Sequence, residues 1–143
     1  MAEPQELDKA RKCLAQAEAA YRNDAGLGRL AEGVALVDEV MLAGAEPHAT
    51  TARNLAATYA ARISARIRQL VDADPALPEP ELEHFFKVLL AFDPIAEALP
   101  ESARALKIEV ARRLVDRYYE GHSPEQKQGA LDALNALGKP EEH

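Results

Sequence analysis

Tryptophan is absent from this chain, aromatic residues amount to only 5% of it, and β-branched residues are few. Sheets draw heavily on those residue types, so their scarcity argues against β structure. A single cysteine, Cys13, excludes an intrachain disulfide, and nothing points to an oxidising compartment. No apolar run approaches the ~20 residues of a membrane span, and Met1-Ala2-Glu3-Pro4 does not open a signal peptide. A cytoplasmic location away from the membrane is therefore expected. Positive charge is also in deficit. With 17 Lys and Arg against 24 Asp and Glu, the net charge of −7 opposes nucleic-acid binding by bulk attraction.

What is present is helix-forming. Hydrophobic residues make up 48% and charged residues 29%, with Ala, Leu, Glu and Arg prominent, which is an ordered composition rather than a disordered one. A chain of 143 residues suits one domain, here 1–143. The apolar spacing and the breakers together predict helices near 4–22, 25–43, 48–72, 80–92, 100–120 and 124–137. Leu7, Ala10, Leu14, Ala17 and Tyr21 form the seam of the first, with Cys13 beside it as a packed or half-exposed thiol. Asn23-Asp24 offers caps for the second, which Gly44 ends in a left-handed conformation. Pro75, Pro78 and Pro80 forbid helix between the third and fourth. Asp93-Pro94 opens a short turn running to Leu99. Ser123-Pro124-Glu125-Gln126 is a capping-box start for the last helix, whose Ala130, Leu131, Leu134 and Leu137 face inward. None of the nine prolines interrupts a periodic stretch.

The third helix is expected to be central. Ala52, Leu55, Ala56, Tyr59, Ala60, Ile63, Ile67 and Leu70 share a broad arc, while Ala57, Ala61, Ser64 and Ala65 make the other side small. Neighbours on both sides would bury Ala61 against another helix. The fold class that follows is all-α, a compact antiparallel bundle of five to six helices. A short α-solenoid of three hairpins, near 1–45, 46–98 and 99–140, is the alternative. Leu-Val-Asp recurs at 36, 70 and 114 but at inequivalent helix positions, so it does not define a repeat.

Motifs with chemistry are sparse. Gly26-x-Gly28 lacks the strand, third glycine and lysine of a phosphate loop. Glu81-x-x-His84 has the i,i+3 spacing of di-iron bundles, but no second such pair accompanies it. Ser64, Ser102 and Ser123 sit in no nucleophile elbow. No catalytic residue, cofactor or metal is therefore expected. Arg53, Arg62, Arg66 and Arg68 stand in a third helix free of acids, yet they scatter around the wheel rather than forming a nucleic-acid stripe. Arg62 and Arg66 are about 40° apart, with Tyr59 beside them. They pair with acids of other helices, the segment from Asp72 to Glu83 being a nearby source, or they form an edge for an acidic partner. All three phenylalanines lie in 85–92, as core or as a partner-facing surface. The expected function is a non-catalytic protein–protein interaction module, such as an adaptor, small chaperone or regulatory subunit, possessing the edge Tyr59, Arg62 and Arg66 and open to self-association as a homodimer. A metal-binding or enzymatic bundle centred on Glu81 and His84 is the rival, with nucleic-acid binding through the arginines weaker still.

Overall fold

The computed structural model describes residues 4–118 together with 120, 125, 128 and 129. Within them the chain forms α1 (Gln5–Ala19), α2 (Asp24–Ala43), α3 (His48–Ala73), α4 (Glu79–Leu90), a 3₁₀ helix (Asp93–Ala98) and α5 (Glu101–Tyr118), with no strand. The expected helix over 124–137 lies outside the described residues, apart from Glu125, Gln128 and Gly129, which are helical. No described helix is long and apolar enough to cross a membrane.

Prolines set the starts. Pro4, Pro47 and Pro78 each stand immediately before a helix, and Pro80 and Pro94 occupy first-turn positions, where a missing N–H costs nothing. The Asn23 side chain accepts from the Gly26 N–H at 3.1 Å and caps α2, and Gly44 ends that helix at φ 70°. The first helix stops at Ala19, short of the expected 22, because Ala20–Asn23 make a turn closed by the Asn23 N–H on the Ala20 carbonyl.

α3 holds the assembly together. α1 and α2 pair with each other, α2 and α1 lie against α3, and α5 lies against both α3 and α4. Although consecutive, α3 and α4 scarcely touch. The second of the three sequence hairpins is thus no self-paired repeat unit, and the architecture is a helical bundle rather than a solenoid.

The buried arc of α3 comprises Ala49, Ala52, Ala56, Ala60, Ile63, Ser64, Ile67 and Val71. It is turned toward the small-residue side relative to the expected face, so Leu55, Tyr59 and Leu70 are only half covered. Burial of Ala61 is not met: it remains half-exposed, as do Ala57 and Ala65. Neighbours do flank α3 on two sides, but the cover stops at Ser64. Leu7, Leu14, Leu30, Val37, Phe85, Phe92 and Leu114 fill the core around this arc. Each contributes about 1.5–3 kcal/mol on full burial. Phe85 and Phe92 are completely enclosed, while Phe86 lies at the border.

Candidate functional site

Arg62 and Arg66 lie one turn apart on α3 and converge on Glu18, which the last turn of α1 delivers to the joint between the two helices. The Arg62 Nη2 meets Glu18 Oε1 at 2.8 Å and its Nε donates to Oε2 at 3.2 Å, a fork over both oxygens. The Arg66 Nε donates to Oε2 at 2.7 Å. Glu18 is 8% exposed, whereas the two arginine side chains keep 53% and 52% of their exposure. The Arg62 guanidinium also sits 5.3 Å from the Tyr59 ring centre, a cation–π contact. All three expected edge residues are therefore together on one surface, with a buried carboxylate beneath them.

That carboxylate is not where the sequence suggested looking. The acids between Asp72 and Glu83 serve other partners: Arg113 pairs with Asp72, Arg22 with Glu81, and the Tyr118 O–H donates to Glu83 at 2.9 Å. Glu18 lies 48 positions from Arg66, so spacing alone did not reveal it. The available signal was its position four residues after Leu14, on the covered side of α1. Arg68 is 3.7 Å from Glu109 of α5, and Arg53 is exposed elsewhere on α3, so the four arginines form no continuous stripe.

Glu81 and His84 face the α1–α2 turn. The His84 ring donates through Nε2 to the Tyr21 carbonyl at 3.0 Å, and its Nδ1 stands 3.5 Å from Asp24 Oδ1. Arg22 donates from Nε to Glu81 at 3.0 Å. Tyr21 stacks on Phe85 with ring centres 5.9 Å apart. This constellation fastens α4 to the turn. Among the described residues no three His, Cys, Asp or Glu side chains come together to hold a metal ion.

The two glycines of Gly26-x-Gly28 lie inside α2 rather than in a loop. A Cβ at Gly26 would stand 1.9 Å from the Ala20 carbonyl oxygen, so the missing side chain admits the backbone of the turn. Gly33 does the same for Leu14 and Cys13, 3.0 and 3.2 Å from its would-be Cβ. Cys13 itself is buried, and burial, reinforced by the Glu32 carboxylate, pushes its thiol pKa up. A raised pKa depletes the thiolate that a nucleophile needs.

No family model matches the chain, and neither a curated protein nor a solved structure matches it.

Proposed function

We propose that the chain is a non-catalytic protein–protein interaction module that offers Tyr59, Arg62 and Arg66 to an acidic segment of a partner protein. The observation that carries this reading is the unequal pairing at Glu18: two guanidiniums share one buried carboxylate, yet each keeps about half of its surface. The cluster has a formal excess of one positive charge in a chain of net −7. Among the described residues Arg66 meets Glu18 through its Nε, and its side chain is half-exposed. Arg62 is held by the carboxylate and by Tyr59, so little rotamer entropy would be lost on docking. Arginine and tyrosine are also the residue types that concentrate interface energy.

Arg66→Gln provides the test. It leaves the Arg62 fork on Glu18 intact, and a half-exposed pair contributes only about 0–1 kcal/mol, so the melting temperature should stay close to that of the parent protein. A partner captured by the parent protein in a salt-sensitive manner should be lost from Arg66→Gln. Capture of the same proteins with undiminished strength would sink the reading.

A further inference from the structure

Arg62 and Arg66 share their side of α3 with apolar neighbours. At about 100° per residue, Leu55, Tyr59, Arg62, Arg66 and Leu70 fall within an arc of about 80°. The three uncharged members are only half covered by the core beneath them, and both guanidiniums keep about half of their surface. Thr58 and Gln69 border the arc on the solvent side and are exposed. Together these residues make one ridge, about 22 Å long from Leu55 to Leu70. Its two cations lie between apolar ends, on a helix without an acid between Pro47 and Val71. Given the docking role of Tyr59, Arg62 and Arg66, on which this rests, we propose that the partner segment is an acidic amphipathic helix of about four turns. Two of its carboxylates, one turn apart, meet Arg62 and Arg66, and apolar side chains beyond them meet the two ends of the ridge.

Spacing and backbone chemistry select a helix over an extended peptide. Successive ridge residues rise by about 6.0, 4.5, 6.0 and 6.0 Å along α3. The i,i+4 and i,i+3 positions of a second helix repeat those steps, so its side chains stay level with their counterparts along the whole ridge. Alternate residues of an extended peptide step by about 6.7 Å and drift about 4 Å out of register over five contacts. An extended peptide also needs a sheet edge for its backbone N–H and C=O groups, and the described residues contain no strand. A helix arrives with those groups already paired. The sign of the partner follows from the cluster, which is positive by one charge with Glu18 counted, in a chain of net −7. Half-exposed cations steer and orient such a helix, while the apolar ends supply the burial.

The test uses the full chain and synthetic peptides of about 20 residues on an alanine–glutamine framework. Leucine, leucine, glutamate, glutamate and leucine repeat the spacing of the ridge, in peptides made in both chain directions. At least one direction should bind in a calorimetric titration, and carbon shifts of the isotope-labelled peptide should turn helical in the complex. A proline between the two glutamates should weaken binding about tenfold. Glutamines in place of the leucines, and separately Arg66→Gln in the protein, should each do the same. If the proline peptide binds undiminished while Arg66→Gln still weakens it, the helical partner is overturned and the arginine edge stands. Undiminished binding of the glutamine peptide, again weakened by Arg66→Gln, overturns the apolar ends in the same way. Binding that ignores Arg66→Gln, or no binding in either direction, overturns the edge and the helical partner together.

Discussion

Gly26 and Gly28 are neighbours in sequence with opposite tasks. At Gly26 any Cβ collides with the Ala20 carbonyl, which is backbone and cannot swing aside; at Gly28 nothing lies within 4 Å. Gly26→Ala should therefore destabilise by about 3 kcal/mol or more. Gly28→Ala should stabilise by up to about 1 kcal/mol, since alanine is the better helix former. Urea unfolding of the two variants reads both signs. The sequence displayed the glycines but not the difference between them, because that difference depends on where α1 turns. Cys13 was legible as a seam neighbour, packed or half-exposed, and the structure decides for packed. Burial and Glu32 raise its pKa above the ordinary 9.0. A folded-state value above the unfolded one contributes stability below the ordinary pKa and loses it as pH climbs through that value toward the folded one. Melting curves between about pH 8 and 10 should fall more steeply for the parent protein than for Cys13→Ala.

Among the elements, the carboxyl end of α3 shows how a helix terminus is satisfied from a distance. Its last carbonyls lack intrahelical donors. Arg117 supplies them, donating from Nη1 to the Val71 carbonyl at 2.7 Å and from Nη2 to the Asp74 carbonyl at 2.9 Å. A cation there also meets the negative end of the helix dipole. Arg117→Gln should cost about 1–3 kcal/mol, and hydrogen exchange should show the last turn of α3 opening more readily while its middle is unchanged. Helix boundaries were readable because prolines and caps act locally. Pro47, Pro78 and Asn23 mark their starts within a residue or two. Which helices become neighbours was not local. The prolines between α3 and α4 suggested a hairpin, yet α4 packs with α5 and reaches the α1–α2 turn through Glu81 and His84. The arginine pair followed the same rule: its residues were visible, its carboxylate was not.

Across the whole molecule, the small residues along α3 explain why one helix can meet so many others. Ala49, Ala52, Ala56 and Ala60 fix no rotamers on burial and allow neighbouring backbones close, while Ile63, Ile67 and Val71 supply bulk toward the other end. The composition already implied such a helix, and its central position was readable from the near absence of a charged face. The exact arc was not, since the Ala57–Ala61–Ala65 row looks the same whether half or fully covered. The Glu18 joint is fault-tolerant. One acid held by two bases is a redundant coupling between α1 and α3. Arg62→Gln or Arg66→Gln alone should change stability by no more than about 1 kcal/mol. Together they strand a carboxylate that is 8% exposed, and the loss should rise to about 2–3 kcal/mol in urea unfolding. For stability, either base is thus a spare for the other: sequence drift can erase one with little change in folding, and the loss shows only with the second.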